Sequence, residues 1–256
     1  TEQACEYVKI HILDERNLLV AGGTSTGKTS LLNALSAYIP KGQRLVVIED
    51  SAELQLQQEH VISMETRPPD RHGRGEVKIS DLFRSSLRLR PDRIVIGEVR
   101  GGEALDMIQA MTSGQGGSMG TLHANNPSDA LNRLETLALM SDVELPLYAL
   151  RAQIASAIDI IVQMNRYIGG KRMVTHIAEV DPIDEHGRYQ TRTIFAMQPV
   201  EDEKGEKTMQ LTWTGMRSNL AGQLTSDRLA HVTDMTREIY GVDETQLQQV
   251  KQAHND

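Results

Sequence analysis

The feature that most constrains the fold of this chain is a glycine-rich loop between an apolar segment and a helix-forming segment. Four apolar residues, 18–21, precede the loop, and leucine and alanine recur at helical spacing over 31–35. The pattern Gly-x-x-x-x-Gly-Lys-Thr in this context predicts a strand, a phosphate-binding loop (P-loop) and a helix whose N-terminus faces the phosphates. The predicted nucleotide-binding residues are Gly22, Gly23, Thr24, Ser25, Thr26, Gly27, Lys28, Thr29 and Ser30.

Two side chains of the loop carry the expected contacts to ATP. Lys28 supplies a positive charge to the β- and γ-phosphates. Thr29 supplies a hydroxyl for Mg²⁺, a hard cation that prefers oxygen ligands. A glycine-rich turn that matches the motif by chance is the alternative, and it is disfavoured because strand, loop and helix all fall where the motif needs them. We therefore expect the chain to bind ATP with Mg²⁺.

Composition limits the class of protein. The chain has 256 residues, of which 39% are hydrophobic and 24% charged, so it is not a disordered or collagen-like sequence. The single cysteine excludes an internal disulfide, and no apolar run approaches the roughly 18 residues of a membrane span. We expect a cytoplasmic protein. The net charge of −8 argues against nucleic-acid binding through many phosphate contacts.

Hydrophobic patterning predicts the fold class. Short continuous apolar runs at 45–48 and 94–96 are typical of strands buried on both faces, and helical patterns lie between and after them. Such alternation predicts an α/β fold of the P-loop NTPase (RecA-like) class with a mainly parallel sheet. We expect this ATPase core to span residues 1–158.

The pattern changes near residue 158. Four segments with strand character follow, and they predict an antiparallel meander packed on the core over 159–225; the segments are 159–164, 173–180, 189–196 and 209–214. The remainder, 226–256, is predicted to be a helical or flexible tail.

Two acidic residues directly follow predicted buried strands. Glu49 follows 46–48, and Glu98 follows 94–97. Ligands of open α/β sheets bind at the C-terminal ends of the strands, so either carboxylate can hold the attacking water or support Mg²⁺ through water. Each acid taken singly is equally compatible with capping the next helix. The occurrence of two such acids favours a catalytic role for Glu98 and Glu49.

A histidine and two arginines complete the candidate catalytic set. His123 follows a short predicted strand with small flanking residues, which places it at the same edge, in position to sense a γ-phosphate. Arginines crowd the segment 67–100, where Arg88 and Arg100 are the best candidates to reach a γ-phosphate or a carboxylate at a subunit boundary. For each arginine taken singly, ion pairing at the surface or an interface is the competing explanation.

These motifs together resemble the secretion (traffic) ATPase superfamily, which drives type II and type IV secretion, conjugation, and type IV or Tad (Flp) pilus assembly. The resemblance covers roughly residues 10–180, with the Walker A, Asp-box, Walker B and His-box elements in order. One departure is Ser25-Thr26, where the family usually has Gly-Ser. The residues that carry the resemblance are Glu49-Asp50 with Glu53, Leu87–Arg93 leading to Gly97–Ala104, and Thr121–Asn125.

The resemblance implies more than the residues do. Arg90–Arg93 and Gly101–Asp106 are most similar to the type IV secretion and Tad-pilus branch. Members are homohexamers in which nucleotide lies between the C-terminal ATPase domain and an N-terminal domain, so we expect this chain to be the C-terminal domain and an upstream domain to be missing. The implied partners are inner-membrane platform or secretion-channel proteins. Through such partners we expect peripheral association with the inner face of the bacterial cell membrane. We expect no sequence-specific binding to nucleic acid.

Three other classes remain as alternatives. A ring-forming DNA-translocating or conjugation motor that contacts DNA directly is the strongest, although the acidic balance and scarcity of aromatic residues disfavour it. An ABC-type ATPase is disfavoured because the signature-like string at 113–117 follows Glu98 instead of preceding the Walker B strand. A non-catalytic nucleotide-binding regulator is disfavoured by the intact Lys28, Thr29, Glu49 and Glu98.

Overall fold

The architecture was analysed in a computed structural model that describes residues 1–114, 116–167, 169–201, 205 and 207–253. The string at 113–117 includes residue 115, and the predicted tail includes 254–256; these positions lie outside the described residues. The flanking residues 113–114 and 116–117 form turns after a helix, as expected from the sequence.

The described strands form one nine-stranded sheet with the order β3-β2-β4-β5-β1-β6-β7-β8-β9. Strands β1 to β6 pair in parallel, and β6 to β9 pair antiparallel. The bounds are β1 Leu18–Gly22, β2 Leu45–Glu49, β3 Val61–Glu65, β4 Arg93–Ile96, β5 Met119–Leu122, β6 Ile160–Arg166, β7 Arg172–Asp181, β8 Gln190–Glu201 and β9 Lys207–Trp213.

Helices cover both faces of this sheet. Six helices of eight residues or more precede the C-terminal segment, which is residues 214–253. They are α1 Glu2–Leu13, α2 Lys28–Ser36, α3 Ile79–Leu87, α4 Glu103–Thr112, α5 Pro127–Ala138 and α6 Leu147–Ala157. The C-terminal segment contains α7 Ser226–Leu229, α8 Arg237–Tyr240 and α9 Glu244–Ala253.

Alternation along β1 assigns each helix to a face. Leu19 and Ala21 pack in the cluster that contains α3 to α6, whereas Leu18 and Val20 pack in the cluster that contains α1, α2 and the C-terminal segment. Successive side chains of a strand point to opposite faces, so a strand that is apolar at every position must be covered twice. Every residue of β1, β2, β4 and β5 is buried accordingly.

The predicted fold class and the strands at 18–21, 45–48 and 94–96 are confirmed. The antiparallel strands, however, continue the parallel sheet edge to edge, because β6 hydrogen-bonds to β1. They therefore extend the core sheet instead of packing on it as a separate layer. The division into 1–158, 159–225 and 226–256 stays a prediction.

The sequence did not indicate α1 or β3. Helix α1 is buried on most sides, between the sheet and the C-terminal segment, so it lacks a clear polar face. Strand β3 is the partly exposed edge of the sheet and mixes polar with apolar residues. Neither segment therefore shows the periodicity by which such elements are recognised.

A buried polar cluster joins α1, β7 and the C-terminal segment. The Tyr7 hydroxyl donates to Oε1 of Glu179 at 2.6 Å, and Nε2 of His11 lies 3.1 Å from the same oxygen. Ser218 and the backbone N–H of Asn219 also donate to Glu179, at 2.5 and 2.6 Å. Burial raises the pKa of Glu179, but hydrogen bonding and charge from His11, with the other donors, outweigh burial and lower it to about 2.

This lowered pKa predicts a pH-dependent contribution to stability. The ionised carboxylate stabilises the fold fully above its ordinary pKa of 4.5, and the contribution is lost as pH falls towards 2. At about 1.4 kcal/mol per pKa unit the contribution is about 3 kcal/mol. We expect Glu179→Gln to lower the free energy of unfolding above pH 5, and the difference from the unsubstituted chain to shrink on acidification.

Urea unfolding between pH 3 and 7 measures this difference. Glu185→Gln, which alters a carboxylate whose side chain is 86% exposed, is the matched control and should leave the pH dependence unchanged. If the free energy of unfolding of Glu179→Gln differed from that of the unsubstituted chain by the same amount at every pH in this range, the lowered pKa of Glu179 would be contradicted.

Candidate nucleotide site

The P-loop joins the end of β1 to the start of α2, and its glycines are required by close contacts. A Cβ on Gly22 would lie 2.6 Å from the carbonyl oxygen of Met164, so a side chain cannot be placed there. Gly27 has a φ of 93°, which L side chains rarely adopt. Ser25, at the position that departs from the family pattern, has a φ of 57° and so accepts the same left-handed turn.

Lys28 is the first residue of α2 and is 8% exposed. Its Nζ donates to the carbonyl oxygen of Gly23 at 3.1 Å, and among the described residues it forms no ion pair with a carboxylate. Burial lowers the pKa of Lys28, and the negative charge of the nearby Glu98 offsets this effect only in part. A buried cation at a helix N-terminus, beside a turn of backbone N–H groups, is a site for a phosphate group.

Glu98 lies between a histidine and an arginine at the C-terminal end of β4. Its Oε1 is 2.6 Å from Nε2 of His123, and its Oε2 accepts from Nε and Nη2 of Arg100 at 2.9 and 2.5 Å. Nη1 of Arg100 donates to Asp50 at 3.0 Å. Three of the five predicted catalytic residues are thus in direct contact, Glu49 lines the same cavity, and Arg100 is paired within its own chain.

His123 lies between Glu98 and Lys28. Burial, followed by the charge of Lys28, lowers the pKa of His123, so the ring is neutral at pH 7. Nε2 of the ring lies 2.6 Å from Oε1 of Glu98 and 3.4 Å from Nζ of Lys28. Among the described residues, Oε1 of Glu98 accepts no hydrogen bond of regular geometry.

Glu49 reaches the same edge from β2 and is 4% exposed. Its Oε1 accepts the backbone N–H groups of Glu53 at 3.2 Å and Leu54 at 3.1 Å, so it anchors the loop after β2 instead of capping a helix. Burial raises the pKa of Glu49. Gly97 packs against it: a Cβ there would lie 2.8 Å from Cγ of Glu49.

A cavity of about 120 Å³ separates the P-loop helix from these acids; it is lined by Thr29, Glu49, Asp50, Ser51, Glu53, Gly97, Glu98 and Arg100. Its hydroxyl and carboxylate oxygens are the donors that Mg²⁺ prefers. Among the described residues no group of three or more His, Cys, Asp or Glu is arranged to hold a metal. The Thr29 hydroxyl and the acids of this lining fit an ion that takes one or two protein ligands and completes its shell with phosphate and water.

A larger cavity of about 530 Å³ lies elsewhere, between α1, α2 and the antiparallel strands. Its lining contains no charged side chain, so it does not fit a polyphosphate. The smaller polar cavity beside Thr29 is the one that the chemistry of the P-loop supports.

The structure also locates residues that the sequence analysis missed or placed differently. Oε1 of Glu103 accepts the backbone N–H groups of Arg100 at 2.7 Å and Gly101 at 2.8 Å, and so fixes the loop after Glu98.

The exposed Arg88 follows α3 and precedes β4, at the opposite end of that strand from Glu98. Arg88 is thus not brought to the site within one chain, and its role at a subunit boundary stays a prediction.

The fold is that of the P-loop NTPases, and comparison with known proteins defines the family. The family model for type II/IV secretion system proteins matches residues 2–239. A putative conjugal transfer protein of Mycobacterium tuberculosis is 38% identical over 177 residues, which cover 69% of this chain and 49% of that protein. The type IV secretion system protein PtlH of Bordetella pertussis is 41% identical over 170 residues, covering 64% and 49%.

Among solved structures, the VirB11 ATPase of the Brucella suis type IV secretion system, crystallised with sulphate, is similar to this chain. It has 31% identity and a TM-score of 0.62 over 70% of this chain and 55% of that one. The chain belongs to the type II/IV secretion system protein family. It spans about half the length of the curated relatives it matches, 49% for both named here. In the part of the chain that is described, no helix has the length and apolarity to cross a membrane.

The packing of Gly97 on Glu49 gives a prediction about stability. Gly97→Ala should displace the buried carboxylate and lower the free energy of unfolding by about 1–3 kcal/mol. Gly120→Ala on the neighbouring strand is the control, because its nearest heavy atom would be 3.6 Å away, an ordinary contact. Urea denaturation of both variants tests this; equal effects would show that the Glu49 contact does not constrain position 97.

Proposed function

We propose that this chain is the ATPase unit of a homohexameric motor that powers a type IV or type II secretion machine or the assembly of a Tad or type IV pilus. The observation that carries the proposal is the buried Lys28 at the N-terminus of α2, whose ammonium forms no ion pair with a carboxylate among the described residues and lies 3.1 Å from the carbonyl oxygen of Gly23 in the P-loop. A phosphate group supplies the missing negative charge. The family relationship supports ATP as its source.

Lys28 and the P-loop amides bind the β- and γ-phosphates and stabilise the charge that develops as the γ-phosphoryl group is transferred. The limited exposure of Lys28 strengthens this interaction, because less water screens it than at the open surface. Gly22 and Gly27 give the backbone the close approach and the turn that aim these amides at the anion.

Glu98 holds the attacking water and accepts its proton. Arg100 donates to Oε2 of Glu98, and Nε2 of His123 lies 2.6 Å from Oε1, so both neighbours restrict the approach of water to the carboxylate. A γ-phosphate provides a competing anion for Arg100 and a second polar neighbour for His123. We propose that ATP binding exchanges these partners and thereby frees the carboxylate at the moment when substrate is present.

Thr29 would hold Mg²⁺ through its hydroxyl, with Glu49 and Glu98 supporting its water ligands. When bound, the ion neutralises phosphate charge. Glu49 also positions Glu53 and the loop that closes the cavity, so its substitution should disturb the cavity wall as well as the water ligands.

The cellular role rests on the relatives. PtlH and the Brucella protein are named for type IV secretion, and the mycobacterial relative is named for conjugal transfer. We propose that this chain works at the inner, cytoplasmic face of the bacterial membrane against platform or channel proteins, without spanning the membrane itself. A motor that contacts DNA directly remains the alternative; strong binding of the isolated chain to single-stranded DNA at physiological salt would favour it.

Two substitutions separate phosphate binding from water activation. Lys28→Ala should abolish nucleotide binding, whereas Glu98→Gln should keep binding and lower kcat by about 10²–10⁴-fold, because the amide cannot accept the proton. Titration with a fluorescent ATP analogue and steady-state phosphate release measure the two effects. Lys41→Ala, at an exposed position, is the control for lost positive charge. Normal turnover of Glu98→Gln would remove Glu98 from the catalytic role.

A mixing experiment tests whether Arg100 also acts across a subunit boundary. If it does, Arg100→Ala and Glu98→Gln chains that are each inactive should regain activity when mixed, at boundaries where an intact arginine faces an intact glutamate. The measurement is phosphate release under conditions where subunits exchange. Mixtures that never exceed the sum of the separate variants would mean that Arg100 acts only on its own chain.

A further inference from the structure

The hairpin between β6 and β7 stands directly beside the P-loop. β6 is hydrogen-bonded to β1, with Gly22 paired to Met164. The Cβ position of Gly27 is 3.6 Å from Cε of Met164 and 3.4 Å from Cδ of Arg172. The aliphatic stem of Arg172 therefore lies against the last glycine of the loop, and its guanidinium is at the N-terminal end of α2.

This hairpin carries an unbalanced pair of positive charges. Arg172 is paired in register with Arg166 across the two strands, and both side chains are exposed. Like charges directly opposite each other destabilise a strand pair. Neither arginine forms an ion pair or side-chain hydrogen bond to any other residue in the described part of the chain. The arrangement lacks an anion that would relieve the repulsion.

The order of the strands indicates which part of the nucleotide would supply this anion. Glu98 and His123 lie at the ends of β4 and β5, on one side of β1, and the hairpin lies on the other side. If the γ-phosphate is held beside Glu98, as the proposed function requires, the polyphosphate crosses the P-loop away from those residues. Its α-phosphate then approaches Gly27 and the hairpin.

We propose that Arg172 is a second cationic contact for the nucleotide and binds its α-phosphate, with Arg166 adding positive charge from the opposite strand. The inference rests on the proposed function and extends it, because it assigns a binding residue outside the Walker and His-box elements. Arginine suits the role, since its planar guanidinium donates two hydrogen bonds to adjacent phosphate oxygens.

An α-phosphate contact has a distinctive effect on affinity. Arg172→Ala should raise the Kd for ADP and for ATP by the same factor, about tenfold to a hundredfold, because both nucleotides carry the α-phosphate. Arg172→Lys should have an intermediate effect, since it keeps the charge and loses the paired donors. A γ-phosphate contact would instead weaken ATP binding more than ADP binding.

The experiment is a titration of the 256-residue chain with a fluorescent ADP analogue, followed by displacement with unlabelled ATP and ADP. Lys171→Ala is the matched control, because it removes one positive charge from the same hairpin next to Arg172. Thermal unfolding of each variant verifies that it is folded. Equal losses of nucleotide affinity in Arg172→Ala and Lys171→Ala would show that any positive charge on the hairpin has the same effect, and would overturn the proposal.

Two further outcomes are also decisive. Unchanged ADP affinity in Arg172→Ala, or a loss confined to ATP, overturns the α-phosphate contact while Lys28→Ala still abolishes binding, so the proposed function survives. Undiminished binding by Lys28→Ala would instead remove the P-loop as the nucleotide site. The two failures are therefore distinguished in the same assay.

Discussion

Strand β1 pairs with β5 along one edge and with β6 along the other, and it is buried on both faces. Its C-terminal end therefore fixes the P-loop one strand away from β6, where the pairing changes from parallel to antiparallel. On one side, β4 and β5 deliver Glu98 and His123; on the other, the β6–β7 hairpin delivers Arg172. The position of this single strand decides which side chains can reach a bound phosphate, because each neighbour is held in register by backbone hydrogen bonds.

The charges around the loop are unevenly satisfied. Glu98 contacts Arg100 through one oxygen and His123 through the other, whereas Lys28 is buried without a paired carboxylate in the described part of the chain. A buried charge is costly unless it is paired, so the fold holds Lys28 in a state that an anion stabilises. The partners of Glu98 are the groups that the same anion attracts. In the function proposed above, binding of a phosphate and release of the carboxylate are electrostatically linked.

The antiparallel strands and the C-terminal segment contribute to the core as well as to the site. Glu179 on β7 accepts from Tyr7 and His11 of α1 and from Ser218, and these contacts join residues far apart in sequence. Helix α1 in turn packs in the same apolar cluster as α2, which begins at the P-loop. The helix that begins at the P-loop therefore packs against segments that contain no recognised motif.

Sequence alone determined the P-loop, the strands around it and the acids Glu49 and Glu98, because their local order encodes both the strand–loop–helix geometry and the chemistry. It also carried the family resemblance. Tertiary structure decided what depends on contacts between distant segments: the edge-to-edge continuation of the sheet, the pairing of Arg100 with Glu98 and Asp50, and the separation of Arg88 from the site. The position of Arg172 beside Gly27 belongs to the same group. Side chains that meet across strands leave no periodic pattern in the chain, since strand order is set by packing and hydrogen bonding and not by sequence spacing.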